Sequence, residues 1–399
     1  MESPLTKKIN DRLITPFNSM TTFFLRRSVE KAFQLDEQPS DLSLNPHKPL
    51  NAEPPHITSA VDDIMYIVNK VLQQSVATSQ IPVVMNVIPT LSRVLGSDFI
   101  GMIQRKMRDE HYPKGPVQGT QPPEQTVIAF LVLINNLDVA VDYIRRIIQG
   151  HVERMDSQQQ SNTSEVTSEQ RNGLVTVFPF SNEGAVVTQA LQSLSSSFES
   201  KVNDLLADGV QVVFSNVVKH RLRPILADAF RDIEYQPRDD SDPTSTYQNY
   251  DAGNEDDDDA SRAELVRPRF ASAWKELILP ISRIFTPGSF DRLLGLTVGY
   301  LARLLEKRLW SYHGRINALG TTRLDRDVSG IISSVIDVGG GHGVPGWYRH
   351  RDTFTRCAQI VLVMGMEDDE WEDAIQHEAG SVVDKLTVEE QKRARAMVQ

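Results

Sequence analysis

A glycine-rich stretch, VIDVGGGHGVPG at residues 335–346, has the spacing most typical of a binding site in this chain. Gly341, Gly343 and Gly346 fit the G-x-G-x-x-G pattern, in which glycines let the backbone approach a phosphate closely. Asp337 lies in the apolar run before these glycines. A loop of this kind binds a nucleotide only where a strand leads into it and a helix follows. Whether this stretch binds a nucleotide therefore depends on the secondary structure on either side of it.

The flanking sequence permits an enzymatic interpretation of this loop and also limits it. Residues 331–338 and 360–364 are short apolar runs that could each form a strand, and Glu367 follows where an acidic residue would bind a ribose. This order resembles the first motifs of class I methyltransferases, which bind S-adenosylmethionine. A doubly wound sheet needs more strand–helix units than the sequence supplies around Gly346. We therefore predict a flexible hinge at 339–346 and keep an S-adenosylmethionine-dependent methyltransferase-like C-terminal domain as the alternative.

Other residues of types that act in catalysis or bind metals lack the partner residues that these roles require. His377 and Glu378 lack the second histidine of a zinc metalloprotease motif. His350 and Cys357 are seven residues apart and would share a helical face, but without an orienting partner we expect a buried, unreactive thiol. The acidic residues between 367 and 372 are typical of the first turn of a helix rather than of a cation site. The sequence therefore predicts no catalytic residue, no cofactor and no metal.

Composition and charge narrow the class of protein further. The 399 residues include 42 basic and 53 acidic ones, which gives a formal net charge of −11 at pH 7. That charge argues against a nucleic-acid-binding protein, whose surface is usually basic. The single cysteine, Cys357, cannot form an internal disulfide and is typical of a reducing compartment. No run of about 18 uncharged apolar residues is present, so we expect membrane association to be peripheral and through partners.

Apolar residues recur with the spacing of α-helices through most of the chain. In the clearest stripe, spacings of three and four alternate over residues 127–148, as on the face of a coiled coil. Similar stripes run over 187–205 and 294–305. Further helices are predicted at about 8–35, 59–78 and 81–108. The sequence therefore predicts an all-α fold of stacked helical bundles that form an extended rod.

Polar segments separate these helices and are expected to be disordered, because they have too few apolar residues to offset the entropy of ordering. They lie at Glu37 to His56, Pro113 to Pro123, Met155 to Asn172 and Gln236 to Ala263. The last one contains the acidic run Glu255 to Asp259, which we interpret as a solvated loop. The breaks divide the chain into a helical bundle at 1–154, a flexible linker at 155–180, a second bundle at 181–315 with a disordered acidic loop at 236–263, and a small C-terminal helical domain at 316–399.

Several stretches, in order along the chain, are similar to the family of conserved oligomeric Golgi complex subunit 4. The most specific is LEKRLWSYHGRINALGTTRLDRDVSGIISSVI at 305–336. The others are MTTFFLRRSVEKAFQLD from Met20, SAVDDIMYIVNKVLQQSVATSQI from Ser59, SDFIGMIQRKMRDE from Ser97, YRHRDTFTRCAQIVLVMGMED from Tyr348 and LTVEEQKRARAM from Leu386. Their ordered co-occurrence carries the resemblance, since none is a catalytic signature. They match only the C-terminal half of the family, so we expect the chain to be a piece of a longer protein.

The resemblance implies rod-like helical bundles and a non-catalytic subunit of a Golgi vesicle-tethering complex. Such a complex acts in retrograde transport within the Golgi and in Golgi maintenance, by docking other proteins before SNARE-mediated fusion. The implied partners are the other subunits of the complex, SNAREs and their regulators, at the cytosolic face of the Golgi membrane. A generic helical adaptor without a Golgi role is a second alternative.

The resemblance also implies one structural ion pair. Arg356, in RDTFTR, and Glu390, in LTVEE, match an arginine and a glutamate that bridge in the family's last small domain. Both lie on predicted helices, and an arginine–carboxylate pair can be bidentate and fix the orientation of two helices. We therefore expect Arg356 and Glu390 to form a structural interaction site. The alternative, that one or both are solvated surface charges, stays open.

Overall fold

The computed structural model describes residues 4–115, 121–153, 174–178, 182–236, 265–340, 347–367, 370–371 and 383–398. Its α-helices are α1 (Pro4–Ile9), α2 (Thr15–Gln34), α3 (Ser59–Ala77), α4 (Ile81–Arg93), α5 (Ile100–Arg105), α6 (Glu124–Glu153), α7 (Leu174–Val177), α8 (Glu183–Val213), α9 (Lys219–Ala229), α10 (Val266–Ile284), α11 (Pro287–Trp310), α12 (Ala318–Gly340), α13 (Thr355–Gly365) and α14 (Val388–Arg395). Short π-helical turns at Asn10–Ile14, Val94–Phe99, Lys106–Glu110 and Phe214–Val218, and a 3-10 helix at Trp347–Phe354, extend or precede several of them. Extended pairing in these ranges is limited to single bridges that join Tyr235, Ile316 and Val398. The prediction of an all-α fold is confirmed.

Helix α6 packs against several other helices, and its residues 127–134 are apolar on every side. Residues 127–137 are all buried, and a helix that is hydrophobic all round needs neighbours on all of its faces. Helices α3, α8, α10 and α11 supply these neighbours. The stripe that the sequence predicts over 127–148 therefore lies entirely in the core.

One continuous core connects the helices on both sides of the 154–182 region. Buried residues from α2 to α14 belong to a single hydrophobic cluster. Helix α8 packs against α4 and α6, and α12 packs against α10 and α13. The division into units at 154, 180 and 315 stays a prediction.

The expectation that Glu37 to His56 is disordered is wrong. Leu42 and His56 in this segment are buried, and the segment lies against helices that are distant in sequence. The Glu124 carboxylate accepts hydrogen bonds from Ser43 Oγ at 2.9 Å and from the Leu44 amide at 2.7 Å. Composition alone gives the wrong prediction for this segment, because side chains of α6 and α10 form hydrogen bonds with its backbone polar groups.

Both apolar runs that could have formed strands are helical. Residues 331–338 lie within α12, and 360–364 lie within α13. A short apolar run is compatible with either a strand or a buried helix. Here both runs form helices that pack against neighbouring helices. The strand that would have to lead into the glycine loop is absent, whereas residues 341–346 of that loop lie outside the described residues.

Parts of the predicted linker and loops also lie outside the described residues. Residues 154–173 and 237–264 belong to this group. Within the predicted linker, however, residues 174–178 form a helical turn. Leu174 and Phe178 at its two ends are buried in the core, so this part of the linker is anchored.

Two helical segments are long and apolar enough, by length and composition alone, to cross a membrane. They span Ile81–Glu110 and Glu124–Val152. Most of the apolar window in the second segment is buried inside the protein, as in a core helix, and half of the window in the first is buried. Such segments are weak support for a membrane span.

Candidate functional site

Arg356 connects three helices near the C-terminus. It lies in the first turn of α13. Its Nη2 atom is 2.7 Å from Glu306 Oε1 on α11 and 2.7 Å from Glu390 Oε1 on α14. Its Nη1 atom donates to the backbone carbonyl of Lys385 at 2.7 Å. The structure therefore brings the two residues predicted from the sequence together, and it adds a second carboxylate. We call Glu306, Arg356 and Glu390 the Arg356 cluster.

Glu390 has two roles because its two carboxylate oxygens have different partners. Oε1 accepts from Arg356, and Oε2 accepts from the backbone amide of Thr387 at 2.9 Å. The Thr387 hydroxyl in turn accepts from the Glu390 amide, which completes a capping box at the start of α14. The hydrogen bond from Arg356, followed by that from the Thr387 amide, lowers the pKa of Glu390 to about 2. Glu390 therefore joins the beginning of α14 to α13 as an ionised group.

Glu306 is the member of the cluster that sequence reasoning missed. It accepts from Arg356 Nε at 3.2 Å as well as from Nη2, so the guanidinium binds it through two nitrogens. Hydrogen bonds to Glu306 first, and to Glu390 second, raise the pKa of Arg356. Glu306 lies within the stretch 305–336 that carries the resemblance, yet local spacing does not indicate which distant cation it meets.

A cation–π contact also joins α14 to α11, near the Arg356 cluster. The Arg393 guanidinium of α14 lies 4.7 Å from the centroid of the Trp310 ring, at the end of α11. A cation over an indole face adds modest attraction at a partly exposed site. Helices α11 and α14 are thus connected twice, once through Arg356 and once through Trp310.

The Arg356 cluster joins three helices through ion pairs that are partly buried. Arg356 is 37% exposed at its side chain and both carboxylates are half-buried, so the ion pairs are neither fully solvated nor fully desolvated. An arginine held by two carboxylates stays protonated and cannot act as a general base. What the arrangement can do is fix the relative orientation of α11, α13 and α14.

Cys357 and His350 have separate partners on α11. Cys357 is 1% exposed, its Sγ atom donates to the Ala302 carbonyl at 3.4 Å, and burial raises the pKa of the thiol to about 12. A thiol with this pKa holds its proton at neutral pH and is a poor nucleophile. His350 Nε2 lies 2.9 Å from Asp291 Oδ1. The two residues do not form a catalytic pair.

The remaining sequence candidates give no second site. Asp337 lies near the end of α12, in helix rather than strand. His377 and Glu378 lie outside the described residues, as do parts of the acidic stretch 367–372. Among the residues that the structure describes, no group of three or more His, Cys, Asp or Glu side chains is placed to hold a metal ion.

Two known protein families together match nearly the whole chain. Residues 130–393 match the family described as conserved oligomeric Golgi complex subunit 4, C-terminal, which covers more than half of the chain. Residues 1–107 match the family described as COG4 transport protein, middle alpha-helical bundle. The Arg356 cluster lies within the first of these matches.

Curated proteins named conserved oligomeric Golgi complex subunit 4 align along most of the chain. That of Saccharomyces cerevisiae is 23% identical over 91% of this chain and 47% of its own length. That of Arabidopsis thaliana is 25% identical over 86% and 39%, and that of Homo sapiens is 21% identical over 89% and 41%. The chain thus spans less than half the length of these relatives.

Among solved structures, the C-terminal domain of the exocyst subunit Sec6p is similar over 100% of this chain and 92% of that chain, with 12% identity and a TM-score of 0.44. The two family matches and the relatives agree with each other along the chain. On these matches, the chain belongs to the conserved oligomeric Golgi complex subunit 4 family.

Proposed function

We propose that this chain is the middle and C-terminal part of a non-catalytic subunit of a Golgi vesicle-tethering complex. In this proposal it acts in retrograde transport within the Golgi and in Golgi maintenance by docking other proteins. The observation that supports it most is the family match over residues 130–393. Its partners are the other subunits of the complex, SNAREs and their regulators, and it associates peripherally with the cytosolic face of the Golgi membrane.

In this role the Arg356 cluster sets the geometry of the C-terminal helices. A docking surface formed by several helices is recognised only if the helices keep their relative positions. Glu306 and Glu390 are on different helices and share one guanidinium, so loss of Arg356 would release both contacts at once. Leaving a partly buried carboxylate without its partner destabilises a fold more than losing an exposed pair does.

The proposal is tested by purification of the tagged protein from the cells that produce it. We expect mass spectrometry to recover other subunits of the complex and fluorescence microscopy to place the protein at the Golgi. Retention of resident Golgi glycosylation enzymes should fall when the protein is depleted. Absence of both sister subunits and Golgi signal would favour a generic helical adaptor.

The same experiment tests whether recovery of the sister subunits depends on the Arg356 cluster. Glu390→Arg reverses the charge in the cluster, and Glu389→Arg makes the same change at an exposed neighbouring position. We expect recovery of sister subunits to fall for the first variant and to stay at the native level for the second. Equal recovery in the two variants would remove the Arg356 cluster from the proposal.

A further inference from the structure

Exposed apolar side chains concentrate on the first helices of the chain. We call residues 4–35, which contain α1 and α2, the N-terminal arm. Its exposed large apolar side chains include Ile9, Leu13, Met20, Phe23 and Phe24. Met20 is 72% exposed and Phe23 is 73% exposed, which is unusual for a cluster of such residues in a folded protein.

These side chains lie on the side of the arm that faces away from the core. Leu25, Val29 and Phe33 of α2 are buried and face the rest of the protein. Met20 and Phe24 are four residues apart and Phe23 is three from Met20, so they share the opposite face. The outer face of the arm therefore carries an exposed apolar stripe.

The inner side of the arm is polar where it approaches α4. A cleft there is lined by Ile14 and four polar residues of the arm, and by Pro82 and Asn86 at the start of α4. The arm is thus mostly polar toward this cleft, whereas Met20, Phe23 and Phe24 are exposed on its other side.

The arm is also strongly basic within an acidic protein. Residues 4–35 contain six basic and two acidic side chains, which leaves a net charge of +4, whereas the whole chain carries −11. Lys8 and Arg12 flank Ile9. Arg27 follows Phe23 by one helical turn, and Lys31 follows Phe24 by two turns. All four basic residues are exposed.

We propose that the outer face of the N-terminal arm binds an anionic lipid surface directly. An exposed helical face with phenylalanine and leucine, flanked by lysine and arginine, has the composition of a helix that lies in a membrane interface. The apolar side chains enter the acyl region while the basic side chains extend to the lipid phosphates. The positive charge of the arm matches a negatively charged leaflet and opposes the repulsion from the acidic remainder of the chain.

Vesicle co-sedimentation with the purified full chain tests the apolar part of the proposal. The probe is phosphatidylcholine vesicles with and without phosphatidylserine. We expect binding to the vesicles with phosphatidylserine, and a decrease of about tenfold for the double variant Phe23→Ser/Phe24→Ser. The control is Leu319→Ser/Val388→Ser, which removes two exposed apolar side chains far along the chain and should bind like the native protein.

A second pair of variants tests the charge with the net charge held equal. Lys8→Ser/Arg12→Ser removes two positive charges from the arm, and Arg223→Ser/Lys275→Ser removes two exposed ones elsewhere. We expect the arm variant to weaken binding about fivefold per charge and the control to leave it unchanged. Binding should also fall as salt is raised, because salt screens the lipid charge.

Two results would overturn the proposal. If the native chain does not bind vesicles with phosphatidylserine, or binds neutral vesicles equally well, the arm does not recognise an anionic surface. If light scattering shows instead that the chain self-associates, and Phe23→Ser/Phe24→Ser abolishes this, the face belongs to a second copy. Because the assay uses the purified chain and lipids only, its failure leaves the proposed role in a Golgi complex standing.

Discussion

Gly320 lies against the backbone carbonyl of Tyr235, so closely that a Cβ atom at position 320 would overlap that carbonyl oxygen. The same oxygen accepts a hydrogen bond from the Asn317 amide at 3.2 Å, and Asn317 Oδ1 accepts one from the Gly320 amide at 2.8 Å. The start of α12 and the segment after α9 are therefore held together at a place where only glycine fits.

Replacement of Gly320 by alanine should lower the free energy of unfolding by about 3 kcal/mol or more, because a backbone atom must move to admit the methyl group. Gly299→Ala is the matched control, since nothing lies within 4 Å of a Cβ at that helical position. We expect that control to stabilise the protein by up to about 1 kcal/mol. Urea denaturation of both variants measures the difference, and a tolerated Gly320→Ala would contradict the close contact.

Asn135 is a buried polar junction in the middle of α6. Its Nδ2 atom donates to the carbonyl oxygens of His56 at 3.0 Å and Ile284 at 2.7 Å, and its Oδ1 atom accepts from the Thr286 amide at 3.0 Å. Its side chain therefore joins the segment before α3 to the turn between α10 and α11.

Asn135→Asp should cost about 3 kcal/mol or more, because a carboxylate oxygen would face two carbonyl oxygens in the core without a donor. The exposed Asn86→Asp makes the same chemical change and should alter the free energy of unfolding by less than about 0.5 kcal/mol. Thermal denaturation followed by circular dichroism compares the two variants. Similar melting temperatures would mean that the three contacts of Asn135 contribute little.

Reversal of the charge at Glu390 should destabilise the C-terminal helices. Glu390→Arg places a second cation beside Arg356 and removes the capping box of α14, which together should cost about 2–3 kcal/mol. Glu389→Arg changes the same charge on the exposed neighbour and keeps both contacts. Hydrogen exchange of α13 and α14 detects the loss locally, and equal protection in the two variants would count against the bridge.

Asp327 should make stability depend on pH. Asp327 is 4% exposed, and its carboxylate accepts a hydrogen bond from the Tyr235 hydroxyl at 2.6 Å. Burial raises the pKa of Asp327 to about 6, although that hydrogen bond acts in the opposite direction. The folded state therefore binds the proton of this carboxyl more tightly than the unfolded state does. The free energy of unfolding should fall as pH rises from about 4 to about 6, with an upper limit of about 3 kcal/mol from this group.

Asp327→Asn removes that titration and should flatten the pH profile between pH 4 and pH 6. The exposed Asp325→Asn, two residues away on α12, should leave the profile as it is. Denaturation at a series of pH values measures both. An unchanged slope in Asp327→Asn would show that another group causes the dependence. Glu390 acts in the opposite direction and at lower pH, since its lowered pKa contributes stability that is lost as pH falls below about 4.5.

The sequence by itself determined that the protein is helical and which apolar stripe of α6 is buried. The alternating spacing over 127–148 depends only on the geometry of the α-helix, so local pattern suffices to predict it. The pair of Arg356 and Glu390 came from the resemblance to a family, because periodicity does not select a partner 34 residues away.

Tertiary structure alone decided which polar groups meet. Glu306 in the Arg356 cluster, Asn135 beneath the segment before α3, and Gly320 against Tyr235 all depend on contacts between elements far apart in sequence. The same holds for Glu37 to His56, which is polar in composition and yet packed in place by Glu124 and Arg283. Hydrogen bonds and close contacts act over a few ångströms in space, and only the folded chain brings those atoms within reach of each other.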